Sequence, residues 1–365
     1  MDSERNAGVS EWRTGAQRRP RAAVMADVGR LAGVSHQTVS RVINDSAHVR
    51  AATRARVLAA MAELGYEPNP IARALVTGRT RTIGVVSFDT TLYGPASTLC
   101  GIERAAHEAG YFIVVASLKA LDRASVADGI DRLRRHGVEG ILVIAPLRDA
   151  VDALLHAHAD VPLVAVEAGP DRDVPVVAVD QAAGARAATE HLLGLGHANV
   201  FHVAGPFEFL ESEQRLTAWR TTLEQAGRSP RPPLTGDWSA ASGYEIGLAL
   251  SEDESVTAIF VANDHMALGV LHAMHERRRA VPGEVSVVGF DDIPEAPYFT
   301  PPLTTVCQDF DELGSRGVGV LLGRLDGGDG LSARPLVAPR LIVRGSTAPP
   351  PARGARGAAG AKRRH

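Results

Sequence analysis

Short apolar runs alternate with helical segments along most of the chain, and this alternation constrains the fold more than any other feature. The runs are almost continuously apolar, and the segments between them carry apolar residues three and four positions apart. Strands that are apolar on both faces are typical of parallel sheets covered by helices on both sides. The pattern predicts strands at residues 82–86, 111–116, 140–144, 162–166, 199–203, 257–261 and 285–289. It predicts helices at residues 97–109, 126–136, 181–195, 214–226 and 266–277. The fold class predicted for this region is therefore α/β, with two doubly wound parallel-sheet subdomains.

The apolar pattern is different before this region. Residues 24–64 carry apolar residues at helical spacing in three short stretches. The first two stretches are separated by small residues at positions 32–35, where two helices can approach closely. Gly33 can adopt a positive φ, and Ser35 can cap the following helix. This segment is predicted to be an all-α helix-turn-helix domain.

Charge is distributed unevenly between these two regions. Residues 21–81 hold nine arginines and four acids, a net charge of +5, whereas residues 82–348 hold 21 basic and 35 acidic residues, a net charge of −14. The first region is therefore suited to a polyanion, and the second is not.

The second helix of the predicted helix-turn-helix would expose polar side chains that suit a major groove. Its apolar residues Val39, Val42 and Ile43 would face the core. Gln can recognise adenine, Arg can recognise guanine, and Ser or Thr can bind phosphate. The predicted exposed face contains Ser35, His36, Gln37, Thr38 and Arg41. The alternative is that these residues form an ordinary polar helix surface.

Residues 68–80 contain signals for a very short helix. Asn69 suits the N-cap, Pro70 the first helical position and Gly78 the end. Such a helix is too short to be stable alone, so it should form only with a partner. Ile71 and Leu75 would then pair with a second copy or wedge into DNA. The alternative is a linker between domains.

Candidate ligand-binding residues follow predicted strands, where ligands of doubly wound sheets bind. Asn263 follows the strand at 257–261, and Asp291 follows the strand at 285–289. Asn and Asp can bind vicinal hydroxyls, Arg is a rigid donor, and Trp can cover one face of a sugar ring. The alternatives are helix capping for Asn263 and Asp291, and an ordinary core position for Trp238.

Enzymatic and metal-dependent functions are not predicted, and no cofactor is expected. The chain lacks GxSxG, GxxxxGK[ST] and HExxH motifs, and no GxGxxG follows a strand. Cys100 and Cys307 are far apart and fit neither a disulfide framework nor a zinc site. The histidines with the most metal-like spacing are His265, His272 and His275, which we interpret as surface or core residues. No secretory or membrane-spanning run is present, so we expect a cytoplasmic protein.

The motifs in residues 27–44, 49–69, 236–239, 261–269, 287–292 and 301–310 resemble the LacI/GalR family of transcription repressors, and its lactose-responsive members most. The resemblance extends to about Thr347. It implies periplasmic-binding-protein-like subdomains, a homodimer without a membrane partner, pseudo-palindromic double-stranded operator DNA and a small sugar effector. A hinge helix would enter the minor groove with Leu75 as the wedge.

Specific roles and boundaries follow from this resemblance. It implies DNA contacts from Ser35, His36, Gln37, Thr38, Ser40, Arg41, Asn44, Asn69, Ala72 and Leu75. It implies effector contacts from Leu92, Gly94, Pro95, Thr98, Glu167, Arg215, Trp238, Asn263, Asp291, Gln308 and Phe310. The expected domains are a disordered tail (1–22), the helix-turn-helix (23–67), the hinge (68–80), a core (81–348) and a disordered basic tail (349–365). Within the core, residues 81–179 and 310–337 would form one subdomain, and residues 180–309 and 338–348 the other.

Some positions depart from the family pattern and leave the effector open. Ala120 replaces an arginine of the pocket, and Glu211 and Glu213 replace a serine and an arginine near Arg215. These two acids could pair with Arg215 or reshape the recognition of hydroxyl groups. A sugar inducer is expected, with a galactoside as the candidate sugar; a purine or other metabolite acting as a corepressor is the alternative. A periplasmic-type sugar receptor would share the core but has no use for residues 24–80. The C-terminal tail lacks leucine heptads and begins with prolines, so a dimer is expected rather than a tetramer.

Overall fold

The computed structural model describes residues 23–43, 48–67, 74–75, 78–118, 122–145, 161–167, 174–328 and 336–351. The chain forms two compact units, residues 1–80 and residues 81–365. Among the described residues, every helix is too short or too polar to cross a bilayer.

The first unit contains three helices around a small apolar core. They are α1 (Met25–Ala32), α2 (His36–Ile43) and α3 (Ala51–Leu64). Val28, Val39 and Val57, one from each helix, are fully buried in this core. Helix α1 ends at Gly33, whose φ is +66°. A side chain at Gly29 would place Cβ only 3.0 Å from the Val34 carbonyl oxygen, so a small residue is needed where the turn approaches α1.

Part of the predicted hinge segment lies within the described residues. Ala74 and Leu75 are helical, and the Gly78 N–H donates to the Ala74 carbonyl oxygen over 2.8 Å. Gly78 has a φ of +69°, as expected of a glycine that ends a helix. Leu75 is 84% exposed. Within the described residues of this unit, its side chain therefore contributes little to a core.

The second unit begins with a parallel six-stranded sheet. Its strands are β1 (Thr82–Phe88), β2 (Phe112–Leu118), β3 (Gly140–Ile144), β4 (Leu163–Val166), β5 (Val176–Val179) and β11 (Leu336–Val337). Their order is β11-β5-β4-β3-β1-β2. One face packs against α5 (Arg123–Arg135), and the other packs against α4 (Tyr93–Glu108) and α10 (Phe310–Leu325). Both faces are therefore covered, which explains why these strands read as continuous apolar runs.

A four-stranded parallel sheet forms the centre of the second half of this unit. Its order is β7-β6-β8-β9. The strands are β6 (Phe201–Ala204), β7 (Leu234–Thr235), β8 (Ala258–Val261) and β9 (Ser286–Val288). The helices are α6 (Gln181–Gly194), α7 (Leu210–Gln225), α8 (Ala240–Glu252) and α9 (Asp264–Glu276), followed by a 3-10 turn at Ala296–Tyr298. Beside β9, β10 (Thr305–Cys307) pairs antiparallel with β12 (Arg340–Ile342).

The predicted fold class is confirmed, because both sheets are parallel and the helical segment precedes them. Several elements were not predicted. Strands β5, β7, β10, β11 and β12 have two to four residues each, too few to show a periodic pattern. Helices α8 and α10 were also missed. Both carry glycines inside them, and these weaken the helical signal.

The ordered chain extends slightly beyond the expected core. The Ala348 carbonyl oxygen accepts hydrogen bonds from the buried His197 ring and the Ser286 hydroxyl, over 3.0 and 2.9 Å. Residues 349–351 are also described, whereas the rest of the expected tail, residues 352–365, lies outside the described residues.

Candidate functional site

A cavity of about 370 Å³ lies where the two sheets of the second unit present the carboxyl ends of their strands. Glu167 follows β4, Gln181 follows β5, Asn263 follows β8 and Asp291 follows β9. Parallel strands end at the same edge of a sheet, which brings residues from distant parts of the chain together. The lining contains Thr91, Leu92, Tyr93, Gly94, Pro95, Thr98, Ile144, Glu167, Gln181, Glu211, Arg215, Asp237, Trp238, Ser239, Ala240, Asn263, His265, Asp291, Gln308 and Phe310.

Arg215 is the buried cation of this cavity. It projects from α7, where its Nε donates to Gln181 Oε1 over 2.9 Å and its Nη1 donates to the Ala262 carbonyl oxygen over 2.5 Å. The guanidinium carbon lies 3.8 Å from the centre of the Phe290 ring. Hydrogen bonds and stacking therefore fix the guanidinium in one orientation.

A chain of amide and carboxylate groups continues from Arg215. Gln181 Nε2 donates to Gln308 Oε1 over 2.9 Å, and Gln308 Nε2 donates to Asp291 Oδ1 over 2.7 Å. Burial raises the pKa of Asp291 to about 6, although Arg215 and the Gln308 amide act in the opposite direction. These groups form a fixed polar frame along one side of the cavity.

Asn263 serves as a helix cap as well as lining the cavity. Its Oδ1 accepts from the Met266 N–H over 2.9 Å, and its Nδ2 donates to the Trp238 carbonyl oxygen over 3.0 Å. Capping, one of the alternatives considered for Asn263, is therefore what the structure shows. Asp291 does not cap a helix; it contacts Gln308 and lies near Arg215.

The indole of Trp238 belongs both to the core and to the cavity wall. It is 8% exposed and lies edge-on to Phe209, with ring centres 5.6 Å apart. Its Nε1 is buried, and no described residue of the chain forms a hydrogen bond with it. A donor of this kind can bind a ligand oxygen.

Two glutamates with raised pKa values also line the cavity. Burial, followed by repulsion from Glu211, raises the pKa of Glu167 to about 8. Burial also raises the pKa of Glu211 to about 7, opposed by Arg215. Glu167 Oε1 and Glu211 Oε2 are both buried and have no hydrogen-bond partner among the described residues.

A second part of the lining, the apolar wall, is largely apolar. It is formed by Leu92, Pro95 and Thr98 at the start of α4, and by Phe310 at the start of α10. Tyr93 packs edge-on against Phe310, with ring centres 5.8 Å apart. The Thr98 hydroxyl is buried and has no hydrogen-bond partner in the part of the chain that the structure describes. An apolar wall combined with a polar frame is typical of small-molecule sites.

All eleven residues expected to contact an effector line this one cavity. Tyr93, Gln181, Asp237 and His265 line it too and were not predicted. Gln181 was missed because β5, which it follows, was not recognised as a strand. Of the two glutamates that could pair with Arg215 or reshape hydroxyl recognition, Glu211 lines the cavity, whereas Glu213 is exposed and does not line it. Glu211 precedes Arg215 by four residues and therefore shares its face of α7, whereas Glu213 precedes it by two and does not. Ala120 lies outside the described residues.

The candidate nucleic-acid-binding face lies on α2 of the first unit. Ser35, His36, Gln37 and Arg41 are exposed, and Thr38 and Ser40 are half-buried. The Ser35 hydroxyl caps the helix by accepting from the Thr38 N–H over 3.2 Å. Asn44, Asn69 and Ala72, three further residues with predicted DNA contacts, lie outside the described residues.

Two of the three histidines with metal-like spacing, His265 and His272, take part in ring contacts. His265 lies 6.4 Å from the Tyr93 ring centre, and His272 lies 5.4 Å from that of Tyr244. Within the described residues, no three His, Cys, Asp or Glu side chains are grouped to hold a metal ion.

Comparison with known proteins relates both units to one family. Residues 24–69 match the family described as bacterial regulatory proteins, lacI family, and residues 189–347 match the periplasmic binding protein-like domain. The chain is 35% identical over 329 residues to the lactose operon repressor of Escherichia coli (strain K12), covering 89% of this chain and 90% of that protein. It is 33% identical over 333 residues to the ribose operon repressor of the same strain, covering 89% and 99% respectively.

A solved structure resembles the whole fold. The crystal structure of the lac repressor dimer bound to operator and the anti-inducer ONPF is 33% identical and superimposes with a TM-score of 0.78, covering 90% of this chain and all of that one. The match therefore includes the helical unit and the two-sheet unit. The chain belongs to the LacI family of bacterial regulatory proteins, whose members matched here are transcriptional repressors rather than enzymes.

Proposed function

We propose that this protein is a sequence-specific DNA-binding repressor that a sugar inducer releases from its operator. The observation that carries the proposal is the cavity of the second unit, whose lining combines a fixed polar frame with an apolar wall. Hydroxyl groups suit the frame of Arg215, Gln308 and Asp291, and the Trp238 and Phe310 rings suit the faces of a sugar ring. The repressors of lactose and ribose operons among the relatives support a sugar as ligand.

The DNA-binding half of the proposal is based on α2. The exposed face of this helix contains Gln37 and Arg41, whereas Val39 and Val42 are buried. A short helix with polar side chains on its exposed face fits a major groove, in which Gln recognises adenine and Arg recognises guanine. Ser35 and Thr38 would bind phosphate groups.

We assign the coupling between the two functions to the segment that contains Leu75. A helix this short gains stability only from a partner, and an 84% exposed leucine gains most from burial in one. In the proposed mechanism, two copies of the segment order each other within the minor groove of the operator. Ligand binding would favour a core geometry that separates them, and coupling of this kind is typically about 1–3 kcal/mol.

A homodimer fits the edge of the six-stranded sheet. Strand β2 is an edge strand of that sheet, and it exposes Phe112 and Val115, which are 71% and 40% exposed. Apolar side chains on a sheet edge are suited to burial against another chain. We propose that a second copy covers this edge, and that the dimer acts on a pseudo-palindromic operator in the cytoplasm.

The proposal is tested with the full-length protein and a duplex selected from a random pool by repeated binding. The selected duplex is titrated with mono- and disaccharides, including galactosides, and with purines. The proposal expects tight binding without ligand and release by at least one sugar. Release by none of them, or absence of any selected sequence, would contradict it. Tighter binding with a purine would instead identify a corepressor-dependent regulator.

A further inference from the structure

The cavity contains more acids than cations, and this imbalance limits the charge of its ligand. Among the described lining residues, Glu167, Glu211, Asp237 and Asp291 are acidic, and Arg215 is the arginine or lysine that accompanies them. We infer that the effector is a polyhydroxylated amine, an amino sugar, whose ammonium group binds the carboxylates of Glu167 and Glu211. This inference rests on the proposed function, because it specifies the ligand of the same cavity.

Arg215, the arginine of the cavity, already binds other groups of the protein. Its Nε and Nη1 donate to Gln181 and the Ala262 carbonyl oxygen, and its Nη2 lies 3.9 Å from Asp291 Oδ1. Arg215 therefore offsets the charge of Asp291 but makes no direct hydrogen bond to either glutamate. Both glutamates keep a buried carboxyl oxygen with no donor in the described part of the chain. A buried acceptor of this kind is costly unless a ligand supplies the donor.

An ammonium group satisfies the buried carboxyl oxygens of Glu167 and Glu211 better than a hydroxyl does. A hydroxyl supplies one donor and no charge, so the repulsion that Glu211 exerts on Glu167 would remain. An ammonium group supplies three donors and a positive charge that offsets this repulsion. Hydrogen bonds to charged partners are also stronger than those between neutral groups.

The rest of the cavity requires a sugar rather than a simple amine. Trp238 and Thr98 are 8% and 1% exposed, and the Trp238 Nε1 and the Thr98 hydroxyl have no hydrogen-bond partner within the described ranges. The indole donor needs an oxygen acceptor, which a hydroxyl provides. The rings of Trp238 and Phe310 offer apolar faces to a pyranose. An amino sugar is a small cation that carries hydrogen-bond donors, hydrogen-bond acceptors and an apolar ring face.

A competing arrangement would hold the glutamates neutral. Burial raises the pKa of both, so a protonated carboxyl could donate to an oxygen of an uncharged sugar. The two arrangements differ in proton exchange. A cation that binds at neutral pH drives protons off Glu167 and Glu211, whereas an uncharged sugar leaves them in place.

The test is calorimetry of the full-length protein with amino sugars and their uncharged parents. The probes are D-glucosamine, D-galactosamine, their 6-amino isomers and deoxynojirimycin, each compared with the parent hexose and, for the 2-amino sugars, the N-acetyl derivative. At least one amine is expected to bind about tenfold to a hundredfold more tightly than its uncharged counterparts. Its binding should release protons, seen as an enthalpy that depends on the buffer. An uncharged sugar that binds as tightly as every amine, without proton release, would overturn the inference.

Variants on α7 make the test specific. Glu211→Gln should remove most of the preference for the amine, and Glu211→Asp, which keeps the charge, should retain part of it. Glu213→Gln on the same helix removes an equal charge outside the cavity and should leave the preference unchanged. Equal losses in the Glu211→Gln and Glu213→Gln variants would overturn the assignment. Operator release by uncharged sugars alone would leave the proposed function standing, whereas no release by any probe would contradict both.

Discussion

Nη2 of Arg215 lies 3.9 Å from Oδ1 of Asp291, and the two side chains are only 4% and 8% exposed. Burial outweighs the attraction between them and raises the pKa of Asp291 to about 6. Above that pH the carboxylate is mostly charged and the guanidinium always is, so the pair is ionised at neutral pH. The ligand therefore meets charges that are already in place, which reduces the cost of ordering the site on binding.

Asp291→Asn tests whether this pair binds the effector. The amide has nearly the same shape and can still accept from Gln308. Loss of the charge should weaken inducer binding by about 1.5–3 kcal/mol, the contribution of a hydrogen bond to a charged group. Operator affinity without inducer should not change. The measurement is an inducer titration of operator release, with Glu213→Gln as the control. A variant that responds like the unmodified protein would show that Asp291 does not contact the effector.

The raised pKa of Glu167 predicts how stability varies with pH. The pKa is about 8 in the folded protein and about 4.5 when the chain is unfolded. Between these values the folded state binds more protons, so the free energy of unfolding should fall as pH rises, by at most about 1.4 kcal/mol per pH unit.

Thermal unfolding of the ligand-free protein between about pH 5 and pH 8.5 measures this dependence. Glu167→Gln should flatten the decline, because it removes the group that must lose a proton. Glu213→Gln, which removes an exposed carboxylate, should follow the unmodified protein. A decline of the same slope in the Glu167→Gln variant would show that other groups cause it.

Gly205→Ala should disturb the aromatic wall of the cavity. A Cβ at Gly205 would overlap the six-membered ring of Trp238, so the indole must move. Inducer binding should weaken, and the free energy of unfolding should fall by about 1–3 kcal/mol, as for other overpacked sites. Inducer titration and denaturant unfolding measure the two effects. Gly194→Ala is the control, because a Cβ there has no neighbour within 4 Å. Unchanged inducer affinity in the Gly205→Ala variant would show that the position of the indole is not critical.

Substitutions on α2 should change base preference. Gln37 and Arg41 are exposed, so alanine at either position should leave folding intact. Each change should cost about 1–3 kcal/mol of operator affinity and relax the preference at one position. Repeated selection from a random pool measures that preference. Arg56→Ala, at an exposed position on α3, should lower affinity for all sequences alike, if at all. If the preferred sequence is identical in all three variants, α2 does not recognise the bases.

Leu75→Ala should separate specific from non-specific binding. The side chain is exposed in the described first unit, so its truncation should change the free energy of unfolding by less than about 0.5 kcal/mol. If the leucine wedges between base pairs, operator affinity should fall more than affinity for random DNA. Equilibrium binding to both duplexes at one salt concentration provides the comparison. Leu58→Ala, also at an exposed leucine, is the control. An equal loss on both duplexes would contradict the wedge.

Much of the fold could be predicted from the sequence because local patterns determine it. Near-continuous apolar runs such as residues 140–144, a strand in the structure, indicate strands buried on both faces. Gly33 and Gly78 mark helix ends, because glycine adopts positive φ values at little cost. The exposed face of α2 follows from helical periodicity alone. These features depend on neighbours within a few residues along the chain.

The contents of the cavity depend on packing between distant segments, which periodicity does not describe. Asn263 satisfies its polar groups by capping α9 and binding the Trp238 backbone, and Gln181 joins Arg215 to Gln308. Glu211 turns into the cavity, whereas Glu213 turns away from it. The sequence by itself determined the parallel-sheet fold class, the helix-turn-helix and most of the strand ends at which a ligand would bind. Only the tertiary structure decided which buried carboxyls lack a partner, because their burial and their neighbours come from segments far apart in the chain.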